Sequence, residues 1–162
     1  MLAEALSLDH HQTWLARALQ EAGKSPDPAT RVGAVLINRQ GMVVSWGCNT
    51  LPHGVRHFHE RLHDRDTKLR LIVHAEMNAI LTAARVGRMT DGCTLYLAAT
   101  DDSGMIWGGP PCTRCTAEII QAGISTVVSY PQKSGFSKWH ADLSMARELL
   151  AEAGVALLEV PG

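Results

Sequence analysis

The sequence predicts an α/β sandwich, because helical and strand patterns alternate along the chain. Two β-rich runs flank the turn Asn38-Arg39-Gln40-Gly41, which predicts a hairpin between them. Gly123 and Gly154 follow two of the helical patterns, where glycine accepts the left-handed backbone that ends a helix. These features argue against an all-helical or all-β domain. With 162 residues and 46% hydrophobic content, we expect one compact core and a single domain over 1–162.

The individual elements follow from local patterns, taken in chain order. Asp9 is predicted to cap a first helix at 10–22, and Gly23 to end it. The turn Ser25-Pro26-Asp27-Pro28 then separates this helix from the hairpin strands. A polar segment, the excursion, lies between the hairpin and the helix predicted at 74–85. The other expected elements are strands at 32–37 and 42–46, a helix at 74–85, a strand at 94–98, a helix at 112–121, a strand at 125–130, a helix at 141–153 and a strand at 155–158.

Three residues in two separate segments carry the chemistry of a catalytic zinc site. His74 offers an imidazole, and the segment Pro110-Pro111-Cys112-Thr113-Arg114-Cys115 offers two thiolates. A catalytic zinc keeps three protein ligands and leaves the fourth position to water, whereas a structural zinc is usually closed by four. Each segment is expected to begin a helix, whose N-terminal dipole stabilises thiolate. The sequence therefore predicts Zn²⁺ bound by His74, Cys112 and Cys115, with a purely structural zinc as the alternative.

Glu76 is the predicted catalytic base. It lies two residues after His74, too close along the same helical turn to bind the same ion comfortably, but within reach of a water there. His-x-Glu together with Pro-Cys-x-x-Cys is the signature of zinc deaminases. On an aminopyrimidine, Glu76 is expected to carry a proton to ring N3 and then to assist departure of the amine.

Beyond these residues, the chain resembles deoxycytidylate (dCMP) deaminases of the zinc-dependent cytidine deaminase superfamily in several ordered blocks. The blocks are Ser25-Pro26-Asp27-Pro28, Val32-Gly33-Ala34, Asn49-Thr50-Leu51-Pro52-His53-Gly54, Asp66-Thr67-Lys68, 72–80 and 119–124. The resemblance implies a three-layer cytidine-deaminase-like sandwich, with a central mixed sheet of about five strands flanked by helices. It also implies hydrolytic deamination of dCMP to dUMP and ammonia by a homo-oligomer, commonly a hexamer in the resembled family.

The same resemblance assigns three residues to the substrate. Asn49 would hydrogen-bond the sugar or base, the Ala75 N–H would meet the pyrimidine carbonyl, and the Pro110 carbonyl would accept from the exocyclic amine. The alternative for Asn49 is a loop residue that holds its own backbone. Several cations precede the zinc helix, where they could bind a monophosphate or simply face solvent: Arg56, Arg61, Arg65, Lys68 and Arg70.

Two departures from the resembled family leave other functions open. Gly47-Cys48-Asn49-Thr50 stands where that family has Gly-Tyr-Asn-Gly, and 101–109 lengthens the approach to the cysteines. The first alternative is a related zinc deaminase acting on another nucleoside, nucleobase or aminated heterocycle. The second is a catalytically silent zinc protein that binds nucleotide, which the presence of Glu76 argues against.

Charge and cysteine content limit the partners. A formal net charge of -1 argues against a nucleic-acid partner and favours a small aminated pyrimidine nucleotide. No apolar run reaches the ~20 residues of a membrane span and no secretory leader is visible, so we expect no membrane partner and a cytoplasmic protein. Cys-x-x-Cys beside a histidine favours metal over disulfides. A second zinc could bind Cys48 and the nearby histidines, the alternative being surface residues or subunit contacts: His53, His57, His59 and His63.

Overall fold

Six helices and six strands occur in the part of the chain that the computed structural model describes, residues 7–133 and 140–162. The helices are α1 (Leu8–Ala22), α2 (His59–His63), α3 (Arg65–Leu71), α4 (Ala75–Arg85), α5 (Thr113–Gln121) and α6 (His140–Glu152). The strands are β1 (Thr30–Ile37), β2 (Val43–Cys48), β3 (Thr94–Asp101), β4 (Ile106–Trp107), β5 (Thr126–Ser129) and β6 (Ala156–Glu159).

The strands form one mixed sheet in the order β2-β1-β3-β5-β6, with β4 added beside β3. β1 runs antiparallel to β2 and β3, whereas β3, β5 and β6 are mutually parallel. The predicted hairpin joins β1 to β2, and Gly41 takes φ = 78° in its turn, a value that glycine adopts without strain. The expected central mixed sheet is therefore confirmed, with five strands in the main path and a short sixth strand.

Helices cover both faces of the sheet and give three layers. On one face, Leu15 and Ala18 of α1 pack with Val35 and Tyr96 of the sheet. Gly33 permits this close approach, because a Cβ there would overlap the Ala18 carbonyl oxygen. The opposite face is covered by α4, α5 and α6. Its buried residues include Leu36, Ala79, Leu95, Ile119, Val127 and Leu150.

Some local predictions were wrong. Asp9 does not cap the first helix. The helix begins earlier because the Ser7 hydroxyl accepts a hydrogen bond from the His10 N–H at 3.2 Å. The polar excursion contains α2 and α3, whose many charged residues hide the helical pattern. The two-residue strand β4 was also not expected. None of the described helices is both long enough and apolar enough to span a bilayer.

Candidate metal centre

Two helix N-termini meet on one side of the sheet and bring the predicted ligands together. His74 is the N-cap of α4 and Cys112 is the N-cap of α5, both with extended backbones, and Cys115 lies in the first turn of α5. His74 is exposed, Cys112 half-buried and Cys115 buried. A helix N-terminus presents unpaired N–H groups and a positive dipole end, so both helices favour anionic ligand atoms at this point.

The spacing of the three side chains fits zinc. Nδ1 of His74 lies 3.6 Å from Sγ of Cys112 and 3.3 Å from Sγ of Cys115. Zinc bonds of ~2.3 Å to sulfur and ~2.0 Å to nitrogen place tetrahedral ligand atoms about 3.5 Å apart. Two thiolates and one imidazole are also ligands that zinc prefers. Within residues 7–133 and 140–162, no other group of three or more possible ligands comes this close together.

The cysteines differ in their protonation. Hydrogen bonds from Cys115 and His74 lower the pKa of Cys112 to about 4, so Cys112 is a thiolate at neutral pH. The same contact with Cys112, together with burial, raises the pKa of Cys115. Hydrogen bonding to Cys112 raises the pKa of His74. The pair therefore holds negative charge before metal binding, and binding would displace the remaining thiol proton.

Glu76 lies in the first turn of α4, buried against this group with only 5% of its surface exposed. Burial first, and the Cys112 charge second, raise its pKa to about 7. A carboxyl group with such a pKa can both accept and return a proton near neutral pH, as a group that transfers protons more than once requires.

The raised pKa predicts a pH dependence for the zinc-free protein. The unfolded chain ionises Glu76 near its ordinary pKa of 4.5, whereas the folded chain ionises it near 7. The contribution of Glu76 to stability is therefore greatest below pH 4.5 and is lost as the pH rises through 7, by about 3 kcal/mol at most. Glu76→Gln should remove this loss. In urea unfolding of zinc-free protein, the variant should be more stable than the parent at pH 8 and equal to it near pH 4.5; an equal difference at both pH values would contradict the prediction.

A residue outside the motifs holds the cysteine-bearing helix. The Asp142 carboxylate on α6 accepts a hydrogen bond from the Thr113 N–H at 3.1 Å, and the Thr113 hydroxyl donates to the Asp142 carbonyl at 2.8 Å. These bonds fix the N-terminus of α5 between its two cysteines. No sequence pattern indicates this contact, because 29 residues separate the partners.

The three expected substrate residues lie at the ends of elements. Ala75 is the first residue of α4, fully buried, and the N–H of a first helical residue has no partner within its helix. Pro110 is buried between β4 and α5. Asn49 directly follows β2 and is 6% exposed. Its Oδ1 accepts from the Val32 N–H at 2.7 Å, and its Nδ2 donates to the Thr30 carbonyl at 2.8 Å.

The excursion before α4 brings fewer possible metal ligands together than its four histidines suggested. His59 and His63 stack with ring centroids 3.8 Å apart, and no further ligand joins them among the described residues. Of the candidate cations, Lys68 pairs with Asp27 at 3.1 Å. A cavity of about 560 Å³ opens beside β2 and α4, but none of the three ligands lines it.

Comparison with known proteins gives a consistent result. The family model described as the cytidine and deoxycytidylate deaminase zinc-binding region matches residues 8–130. A protein of Aliivibrio fischeri named as an uncharacterized deaminase in the luxG 3′ region is 35% identical, covering 91% of this chain and 94% of that protein. The deoxycytidylate deaminases of Mus musculus and Homo sapiens are 31% and 32% identical, and each alignment covers 91% of this chain and 78% of the relative.

The fold also matches solved structures. The dCMP deaminase of cyanophage S-TIM5, crystallised in complex with dCMP and dUMP, superposes with a TM-score of 0.72 at 19% sequence identity. The superposition covers 96% of this chain and 99% of the phage protein. At this identity the match supports the three-layer architecture only.

Proposed function

Because the chain belongs to the cytidine and deoxycytidylate deaminase family, we propose that it is a zinc-dependent hydrolase that converts dCMP to dUMP and ammonia. The observation that carries this proposal is a buried Glu76 with a pKa of about 7 beside three possible metal ligands, whose ligand atoms all lie within 4.8 Å of one another. The similarity to deoxycytidylate deaminases of mouse and human supports dCMP over other aminated rings.

The proposed zinc ligands are His74, Cys112 and Cys115. When bound, zinc acts as a Lewis acid that makes water a nucleophile near neutral pH. The remaining functions belong to the chain itself. Both helix N-termini stabilise the thiolates, and the contact between Asp142 and Thr113 keeps the two cysteines at the position that faces His74.

Glu76 is the proposed proton carrier. Deamination adds the oxygen of water to C4 of the ring, moves one proton to N3, and breaks the bond between C4 and the amine. Glu76 accepts the proton from water and delivers it to N3. It then returns a proton from the new hydroxyl to the amine, so that ammonia leaves and a carbonyl remains at C4. Its low exposure keeps bulk water from competing for these transfers.

We also propose that Asn49, Ala75 and Pro110 contact the substrate. Nδ2 of Asn49 already donates to the Thr30 carbonyl and, at 3.4 Å, to Asp27. Its Oδ1 accepts one bond from Val32 and keeps a second acceptor position. Asn49 is therefore suited to accept a hydrogen bond from a sugar hydroxyl. The Ala75 N–H would bind the pyrimidine carbonyl, and the Pro110 carbonyl would accept from the exocyclic amine.

Ammonia release tests this function. The zinc-loaded protein would be assayed with dCMP, CMP, deoxycytidine, cytosine, adenine and guanine, with Glu76→Gln as the inactive control. We expect the highest kcat/KM on dCMP. Turnover of a different ring would keep the zinc chemistry and reassign the substrate. The altered segments 47–50 and 101–109 would then explain the change of substrate. Absence of turnover on every ring would instead support a silent zinc protein.

The domain organisation, cellular location, assembly and partner of the protein are proposed on the same basis. We infer a single domain over 1–162 that works in the cytoplasm as a homo-oligomer, and hexamers are common in the resembled family. A small nucleotide is the proposed partner, because a net charge of -1 offers little to a phosphate backbone. Sedimentation velocity at micromolar concentration tests the assembly, and a clean monomer would contradict it.

A further inference from the structure

α3 is joined to the rest of the protein by an unusual contact for a short surface helix. None of its residues is buried, so packing alone gives it little to hold it in place. Lys68, in the middle of α3, nevertheless extends its ammonium group to Oδ1 of Asp27 at 3.1 Å. The side chains are 16% and 5% exposed, respectively, so this ion pair is largely withdrawn from solvent.

Asp27 connects this ion pair to the end of β2. Its Oδ1 also accepts hydrogen bonds from the N–H groups of Ala29 and Thr30, at 2.9 and 3.2 Å. Its Oδ2 lies 3.4 Å from Nδ2 of Asn49. A buried carboxylate with this many donors is fixed in orientation, and it fixes the groups that donate to it.

The same helix leads directly to the metal centre. Two backbone hydrogen bonds of 3.1 and 2.8 Å join Thr50 to Val73 in an antiparallel bridge. Thr50 follows Asn49, and Val73 precedes the proposed ligand His74. The chain before His74 is therefore held at two points. Lys68 of α3 binds Asp27 in the turn before β1, and Val73 pairs with Thr50 just after β2.

We propose that Lys68 and Asp27 are a positioning pair that holds His74 and Asn49 at a fixed separation. The ion pair anchors the chain just before the bridge, so that His74 enters α4 at a constant position relative to the proposed sugar acceptor. This inference rests on the proposed function where it concerns substrate, and on the ligand geometry alone where it concerns metal. Lys68 is accordingly assigned to Asp27 and not to a substrate phosphate.

Substitution of Lys68 separates this role from general stability. In Lys68→Met, Asp27 keeps its three other donors, so the turn that contains it should remain folded while α3 loses its anchor. Partners that orient metal ligands typically change metal affinity or activity about 10–100-fold when removed. We therefore expect zinc release to a chelator to accelerate by roughly 10-fold, and KM for dCMP to rise by roughly 10-fold with kcat within about 3-fold.

The experiment compares zinc-loaded parent, Lys68→Met, Lys68→Arg, Asp27→Asn and Arg147→Met. Lys68→Arg keeps the charge and should restore most of the parental KM and release rate. Arg147→Met removes an ion pair of 2.7 Å between α6 and Glu159 of β6, and is the control for a lost ion pair. It should change neither quantity. Circular dichroism at the assay temperature shows whether each variant is folded. If Lys68→Met is unfolded, Asp27→Asn provides the test of the same ion pair.

Unchanged zinc release and KM in folded Lys68→Met would overturn the proposal. So would equal effects in Lys68→Met and Arg147→Met, or a Lys68→Arg variant as impaired as Lys68→Met. Failure of the proposed function gives a different result. In that case the parent does not turn over dCMP, while the order of zinc-release rates among the variants still decides whether the pair positions His74.

Discussion

Glu76→Gln should lower kcat for dCMP by about 10²–10⁴-fold, and by more if Glu76 performs every proton transfer. Glutamine has nearly the same shape and can occupy the same buried position, but it cannot accept a proton from water or return one to the amine. His74, Cys112 and Cys115 are unchanged, so zinc should remain at about one ion per chain. The measurements are steady-state ammonia release and the zinc content of the same preparation.

Glu152→Gln is the matched control for this substitution. Glu152 ends α6 and is exposed, so the same chemical change there should leave kcat within about 2-fold of the parent. Zinc content separates the two ways in which Glu76→Gln could lose activity. Full zinc with lost turnover supports proton transfer by Glu76. Lost zinc would make Glu76 part of the binding site, and parental kcat with full zinc would remove it from the mechanism.

The accuracy of the sequence predictions depended on how local the determining interaction is. The hairpin between β1 and β2 needed only two β-rich runs and a turn with glycine, all within about 20 residues, and it was confirmed. The excursion before α4 was harder, because α3 buries no residue and so carries no apolar pattern to detect. The cap of α1 was misplaced because Ser7 and Asp9 are both good capping residues within one turn.

The grouping of the three proposed zinc ligands could be predicted for a different reason. Its residue types and spacing are restricted by zinc chemistry, so His74 and the two cysteines were recognisable although 38 residues separate His74 from Cys112. The groups that orient them are not restricted in this way. Asp142 and Lys68 are ordinary charged surface residues in the sequence, and only the folded chain shows that they face Thr113 and Asp27.

Cys112→Ala should reduce bound zinc from about one ion per chain toward zero, and abolish deamination with it. The substitution leaves one imidazole and one thiol, and it also removes the cysteine that is already a thiolate at neutral pH, with a pKa of about 4. Metal that binds only the folded state stabilises it, by about 4 kcal/mol at a thousand times Kd. The melting temperature should therefore fall by roughly 10 °C relative to the zinc-loaded parent.

Cys48→Ala separates loss of a ligand from loss of any half-buried cysteine. Cys48 ends β2, is also half-buried, and lies outside the three-ligand group. Its removal should leave zinc content at the parental value, with a modest change in melting temperature. If Cys48→Ala lost zinc as fully as Cys112→Ala, the ion would have to depend on the segment around Cys48. Retention of zinc in Cys112→Ala would contradict the ligand assignment directly, because His74 and Cys115 alone cannot hold the ion against a chelator.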